Sequence, residues 1–261
     1  MSNFRRCNIF ITSNAVSERV SNLCPAPIPS GSTLKHFSPR LTKRLCLFLF
    51  VFQATGTMPV DVRGLGADFA VGGVLKWLCG GPGVAYLYAR EDLRHKLRPA
   101  LTGWLAHRRP FNFEPGEIDP REDSYRFLNG TPHIPALYAC QPGLAILTKV
   151  GTQAIREKSI RMTTRLLEGA RARGWRVNTA QNAEDRGGTV SVDCPHAFEV
   201  CRELLAREIL VDYRPQAGIR ISPHFYNQEE ECDFALSQIE EILNTRAWEK
   251  QVLAPEAGLK R

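Results

Sequence analysis

The chain has 261 residues, of which 43% are hydrophobic and 23% are charged. This composition excludes a chain that is disordered throughout, and the length allows one large domain or two modest ones with real cores. The net charge of +7 lies almost entirely in residues 1–44, so the remaining part is nearly neutral and no basic nucleic-acid-binding face is expected in it.

Residues 1–44 differ from the rest of the chain. They are rich in Ser and Pro, contain seven Lys or Arg and one acidic residue, and lack sustained apolar periodicity. This composition predicts an unrelated or disordered basic extension, with an organelle transit peptide as the alternative. A nucleic-acid-binding function would depend on this segment alone.

The first apolar run is Leu45–Phe52. It is far too short for a membrane-spanning helix, which needs about 20 residues, and we expect no membrane segment here. A short, continuous apolar run instead predicts a strand that is buried on both faces. Two further strands are predicted, over Asp68–Gly73 and over Gly83–Tyr88.

A long helical stretch is predicted from Pro135 to Arg173, with a break near Val150–Gly151. Ile160, Thr163, Leu167 and Ala170 fall on one face of its second half. The remainder predicts a small unit of alternating strands and helices: strands at Thr189–Val192, Leu210–Tyr213 and Ile219–Ser222, a helix with Phe198, Cys201, Leu204 and Leu205 on one face, and a closing helix from Glu229 to about Arg246. Alternating strands and helices indicate an α/β fold.

The eight cysteines are spread along the chain without a Cys-x-x-Cys pair or a His pair at metal-ligand spacing. This pattern favours reduced thiols in a cytoplasmic protein over a disulfide framework, and it predicts no metal site.

The densest group of functional candidates is Gly72–Gly83, with the sequence GGVLKWLCGGPG. Lys76 stands alone among apolar residues, with glycines on both sides. Burial would lower the pKa of its amine, and a neutral amine can form a Schiff base with a carbonyl. Glycines would also allow the backbone to approach a ligand closely. A surface lysine whose stem packs on apolar neighbours is the alternative.

This segment, with the preceding Val60–Phe69, resembles the cofactor-lysine region of pyridoxal-phosphate (PLP) enzymes of fold type I, in the class-V aminotransferase and kynureninase-like group. The resemblance implies an α/β fold. Residues 45–150 would form an incomplete PLP-binding large domain with a mixed, mainly parallel sheet and helices. Residues 151–250 would form a small C-terminal α/β domain, and residues 251–261 a tail.

The resemblance also implies roles for individual residues. Lys76 would form the internal aldimine with PLP and move the substrate Cα proton. Gln53, Trp104, Asn129 and Thr131 match positions near the cofactor. Arg220, in Gly218–Asn227, matches the arginine that binds the α-carboxylate of an amino-acid substrate. Relatives of this kind are homodimers.

One position departs from the family pattern. Relatives have an Asp three residues before the glutamine that matches Gln53, and this Asp pairs with the pyridine nitrogen of PLP, but Phe50 occupies the position here. The first part of the family's large domain is also unmatched. Three hypotheses therefore stay open: a kynureninase-like hydrolase, an aminotransferase, or a catalytically inactive truncated remnant.

Overall fold

The computed structural model describes residues 46–252 and the backbone of residues 10–12. Most of the predicted N-terminal extension, and residues 253–261 of the predicted tail, lie outside the described residues. The chain divides into two compact units, and the division falls between Gly151 and Thr152.

The first unit is built on a four-stranded sheet with the order β1-β4-β3-β2. Its strands are β1 (Phe10–Thr12), β2 (Phe48–Phe50), β3 (Phe69–Gly73) and β4 (Ala85–Ala89). Strands β2 and β3 pair in parallel, whereas β3–β4 and β1–β4 pair antiparallel. The prediction of a mixed sheet is therefore confirmed, but the described strands are not mainly parallel, since they form one parallel and two antiparallel pairs.

Strand β2 is less buried than its apolar sequence predicted. The structure leaves Phe48 and Leu49 half-buried, and Phe50 is 62% exposed, so burial on both faces is wrong for this strand. The reason is its position: among the described strands, β2 is the edge of the sheet and has only β3 beside it. Strands of parallel sheets are buried on both faces only where neighbouring elements cover them.

The helices of the first unit are α1 (Glu91–Arg94), α2 (Ile134–Ala139) and α3 (Gln141–Val150). The break predicted near Val150 is confirmed, because Gly151 has a φ of 88° and ends α3. The structure adds a second break at Cys140, and Pro142 lies in the first turn of α3, where a backbone N–H has no partner within the helix. Residues of α2 and of the adjoining turn pack on the sheet to form the core: Val51, Ala70, Val74, Val84, Tyr86, Ala136 and Cys140.

The second unit contains an antiparallel sheet with the order β5-β6-β8-β7. Its strands are β5 (Arg176–Val177), β6 (Val190–Asp193), β7 (Asp212–Arg214) and β8 (Gly218–Ile221), and its helices are α4 (Thr152–Ala172), α5 (Ala197–Ala206), α6 (Glu229–Asn244) and α7 (Glu249–Val252). The predicted α/β character of this part of the chain is confirmed.

One face of this sheet carries the core of the second unit. Val190 and Val192 are fully buried on β6, whereas the intervening Ser191 is half-exposed, as expected for a strand with one covered face. Helices α4, α5 and α6 cover the buried face with residues that include Met162, Leu166, Cys201, Leu204, Leu236 and Ile239. The opposite face is polar and holds Ser191, Asp193, Asp212 and Arg220.

Candidate functional site

Lys76 lies in the turn that follows β3. Its neighbours Val74 and Trp77 point into the core, with 3% and 5% exposure, whereas Leu75 and Lys76 are exposed. The expectation that the apolar neighbours bury Lys76 is therefore wrong, because the turn directs alternate parts of the segment inward and outward. The backbone of the turn is fixed: Cys79 N donates to Lys76 O at 2.9 Å, and Gly80 N donates to Val74 O at 2.7 Å.

Gln53 belongs to the same part of the unit as the Lys76 turn. The indole Nε1 of Trp77 donates to Gln53 Oε1 at 3.1 Å, which ties the turn to the segment that follows β2. Gly56 allows the two segments to approach this closely, because a Cβ placed on it would lie 2.4 Å from Trp77 O. In this structure Gln53 therefore positions the residue next to Lys76.

The two glycines before the turn serve internal packing. A Cβ on Gly72 would lie 2.3 Å from the Tyr86 hydroxyl, and one on Gly73 would lie 2.2 Å from the Phe52 ring. The sequence predicted close approach of a ligand at these glycines, but protein side chains occupy the space. The Tyr86 hydroxyl donates to Thr55 Oγ1 at 2.6 Å, and burial raises the pKa of this phenol.

Phe50 provides no carboxylate, and no acidic side chain described nearby takes its place. Its exposed ring stacks on Phe52 with the centroids 4.8 Å apart. Asp68, the acidic residue just before β3, is buried and has other partners. Its Oδ2 accepts from Leu47 N at 2.8 Å and its Oδ1 pairs with Arg90 Nη1 at 2.6 Å. Asp68 therefore holds the start of β2.

Trp104 and Asn129 lie together in a second part of this unit. Trp104 begins a short 3-10 helix, Trp104–Ala106, and Leu105 N donates to Asn129 O at 3.3 Å. Gly103 permits the contact, since a Cβ there would lie 2.3 Å from Asn129 O. The Trp104 ring is 39% exposed and lies 5.6 Å from the ring of Phe111.

Asn129 and Thr131 present their side chains to solvent. Within residues 46–252, neither side chain makes a hydrogen bond, so the Asn129 amide and the Thr131 hydroxyl retain their donors and acceptors for a ligand.

Arg220 belongs to the second unit, on β8. The register places it opposite Asp212 on β7. Arg220 Nε donates to Asp212 Oδ1 at 2.6 Å and Arg220 Nη2 donates to Asp212 Oδ2. The hydrogen bonds that Arg220 donates to the Asp212 carboxylate raise the pKa of the guanidinium. Sequence reasoning missed Asp212, although two short neighbouring strands with one acid and one arginine are a pattern for a cross-strand charge pair.

A cavity of about 230 Å³ in the first unit is lined by Arg63, Tyr88, Arg90, Arg94 and neighbouring residues, and none of the predicted site residues is among them. Within the described range, no group of three or more His, Cys, Asp or Glu residues could hold a metal ion. The six described cysteines are free thiols, and no described helix is long and apolar enough to cross a membrane.

A model of the family described as Aminotransferase class-V matches residues 42–234. The chain belongs to the class-V aminotransferase family. Among its relatives, a kynureninase of Burkholderia mallei is 32% identical over 213 residues, which are 79% of this chain and 51% of the relative. The uncharacterized aminotransferase YcbU of Bacillus subtilis is 30% identical over 193 residues, which are 74% and 50% of the two chains.

Solved structures agree on the fold. The apo structure of a cysteine desulfurase from Thermococcus onnurineus NA1 matches with a TM-score of 0.68 and 24% identity, over 77% of this chain and 53% of that one. A C-DES mutant with glycine covalently linked to its PLP cofactor matches with a TM-score of 0.63 and 22% identity, over 72% and 49% of the two chains. The family is one of PLP-dependent enzymes, and the chain spans about half the length of the curated relatives it matches.

Proposed function

We propose that this chain binds PLP covalently through Lys76 and acts on an amino-acid substrate. The observation that carries the proposal is the placement of Lys76: its amine is accessible, while its backbone is fixed by hydrogen bonds in a turn of a class-V sheet. A fixed turn holds the Cα of Lys76 in place, and accessibility lets a ligand aldehyde reach the amine. Condensation of the two joins nitrogen to carbon and releases water.

The described residues fit the covalent attachment of PLP but not the usual support of its ring nitrogen. PLP supplies an aldehyde that binds amines and a ring that withdraws electrons from the substrate. Lys76 would hold the cofactor and move a proton at the substrate Cα. Asn129 and Thr131 would donate hydrogen bonds to the cofactor, with Trp104 packed beside them. Phe50 cannot form a hydrogen bond or an ion pair with the ring nitrogen, so we propose no role for this residue in keeping that nitrogen protonated.

The substrate would be recognised through its α-carboxylate by Arg220. A guanidinium binds a carboxylate through two parallel N–H donors, which gives both charge and direction. The chain is 32% identical to a kynureninase and 30% identical to an uncharacterized aminotransferase. The proposal therefore includes two possible reactions, hydrolysis and transamination. We extend it to a cytoplasmic homodimer, as the reduced thiols and the family resemblance favour.

The alternative is an inactive remnant that does not hold PLP. Phe50, which replaces the expected carboxylate and is exposed on an edge strand, is the observation in its favour. The two functions differ in one property, attachment of the cofactor, and this can be measured without any turnover.

The test is to incubate the purified chain with PLP, reduce it with borohydride and locate the phosphopyridoxyl group by peptide mass spectrometry. We expect the label on Lys76, together with a visible absorption band before reduction. Lys76→Ala should lose both, while Lys149→Ala, which removes an exposed lysine from α3, should retain them. Equal labelling of many lysines, or no label at all, would favour the remnant.

A gain-of-function variant examines the ring-nitrogen position separately. Phe50→Asp places a carboxylate where the family pattern has one, and Phe50→Asn is its uncharged control of nearly equal size. We expect tighter PLP binding in the Asp variant than in the Asn variant, measured by titration of the absorption band. Equal affinities would mean that residue 50 does not face the ring nitrogen.

A further inference from the structure

Arg220 lies on the polar face of the second unit's sheet, between two neighbouring strands. The register places Ser191 of β6 on one side of it and Asp212 of β7 on the other. Asp212 engages it through two parallel hydrogen bonds, from Nε to Oδ1 and from Nη2 to Oδ2. A guanidinium offers five N–H donors in a planar arrangement. Asp212 uses the edge formed by Nε and Nη2.

The outer edge of the same guanidinium stays available. Among the residues that the structure describes, Nη1 of Arg220 makes no hydrogen bond, and the side chain is 31% exposed. The edge formed by Nη1 and Nη2 can therefore accept a second carboxylate end-on while Asp212 keeps its place. Fixing the first edge removes rotation of the long side chain, which otherwise costs entropy on binding.

The local charge also favours an anion. Asp212 Oδ2 lies 3.2 Å from Arg214 Nη2, so one carboxylate is shared by two guanidinium groups. The three side chains together carry a surplus of one positive charge. A carboxylate ligand that bound Arg220 would balance this surplus, whereas a neutral ligand of the same shape would not.

We propose that Asp212 is a positioning residue that fixes the Arg220 guanidinium by one edge and thereby presents the other edge to the carboxylate of a ligand. This inference deepens the proposed function, because it rests on Arg220 as the substrate-binding arginine. The alternative is that Asp212 competes with the ligand carboxylate for Arg220 and must be displaced before the ligand binds. Positioning predicts weaker carboxylate binding when Asp212 is neutralised, and competition predicts tighter binding.

The test uses the full chain and acetate as the probe, with acetamide as its neutral counterpart. The Nε–H signal of Arg220, identified by its loss in Arg220→Lys, is followed by ¹⁵N NMR during titration. We expect acetate, and not acetamide, to shift this signal. Asp212→Asn should weaken acetate binding about two- to fivefold, the range that a partly exposed ion pair contributes.

The matched control is Asp193→Asn. Asp193 lies on β6 on the same polar face, where it is opposite Arg176 in the register and not beside Arg220. Asp193→Asn removes one negative charge from the same sheet, as Asp212→Asn does. Any general increase in the attraction of anions therefore appears in both variants. Asp212→Glu retains a carboxylate and should recover part of the acetate affinity, which loss of fold alone would not explain.

The proposal is overturned if the Arg220 signal of the natural protein does not respond to acetate. It is also overturned if Asp212→Asn binds acetate as tightly as Asp193→Asn does, or more tightly. No PLP is present in these titrations, so failure of cofactor attachment at Lys76 would leave the result unaffected, and the two failures can be told apart.

Discussion

Gly56 is the residue on which the shape of the Lys76 turn depends most directly. Its φ of +98° disfavours any side chain, and a Cβ would lie 2.4 Å from the carbonyl oxygen of Trp77. We expect Gly56→Ala to lower the free energy of unfolding by about 3 kcal/mol, from backbone strain and the clash together. Urea denaturation followed by Trp fluorescence measures it.

Gly81→Ala is the matched control for this variant. Gly81 has a φ of +70° but has no atom within 4 Å of the added Cβ, so it reports strain without a clash. We expect it to cost about 1 kcal/mol. If both variants cost the same, the close approach of the Gly56 and Trp77 segments is not needed for stability.

At this scale the sequence predicted the family better than it predicted the surroundings of individual side chains. The GGVLKWLCGGPG motif predicted the family correctly, whereas the role that it assigns to Lys76 stays a prediction. The exposure of Lys76 could not be predicted, because apolar residues on both sides of it do not indicate which side chains a turn directs toward solvent. The Asp212–Arg220 pair was missed because it depends on strand register, which no local pattern fixed.

Helix α6 begins with a capping arrangement that supports a stability prediction at the scale of one element. The Glu231 carboxylate accepts from the backbone N of Gln228 and from Asn227 Nδ2 at 3.1 Å. Both contacts satisfy donors at the start of the helix. Glu231→Ala should therefore lower the free energy of unfolding by about 1 kcal/mol.

Glu230→Ala is its control, because Glu230 lies in the same first turn and removes the same charge near the helix dipole. Thermal and urea unfolding monitored by circular dichroism compare the two. A loss as large for Glu230→Ala would assign the effect to charge rather than to the hydrogen bonds.

Elements with strong periodicity were predictable to within a few residues. The strand at Asp68–Gly73 became Phe69–Gly73, and the closing helix from Glu229 to about Arg246 became Glu229–Asn244. On the predicted face of α4, Thr163, Leu167 and Ala170 are buried, whereas Ile160 is half-buried. The break at Cys140 was not predicted, because the apolar pattern continues through it and only the proline at the start of α3 marks it.

At the scale of the whole molecule, the second unit buries three thiols whose ionisation couples folding to pH. Burial raises the pKa of Cys194 to about 12 and those of Cys201 and Cys232 to about 11, from an ordinary value of 9.0. A raised folded pKa means that the unfolded thiol ionises first. Its contribution to stability is complete below pH 9 and is lost as the pH rises toward 11 or 12.

We therefore expect the free energy of unfolding to fall by about 1 kcal/mol per buried thiol between pH 9 and pH 10. Cys201→Ala should remove one such contribution from the slope, measured by urea titrations at several pH values. Val200→Ala, an equally buried neighbour on α5, should lower stability without changing the slope. An unchanged slope in Cys201→Ala would mean that this thiol ionises equally in both states.

The α/β class and the family followed from the order of strands and helices and from the lysine motif. Partial coverage of the relatives was also predicted, because the first part of the family's large domain is unmatched in this sequence, and the matches to about half of the kynureninase and of the YcbU aminotransferase agree with it.

The exposed edge at β2 has a consequence for handling the protein in solution. Beyond β2 no described strand continues the sheet, and the exposed Phe50 stacks on Phe52 beside it. An apolar sheet edge of this kind is a template for self-association and aggregation. Phe50→Asp should thus raise the concentration at which the chain begins to scatter light, because it replaces an exposed apolar ring at this edge with a charge.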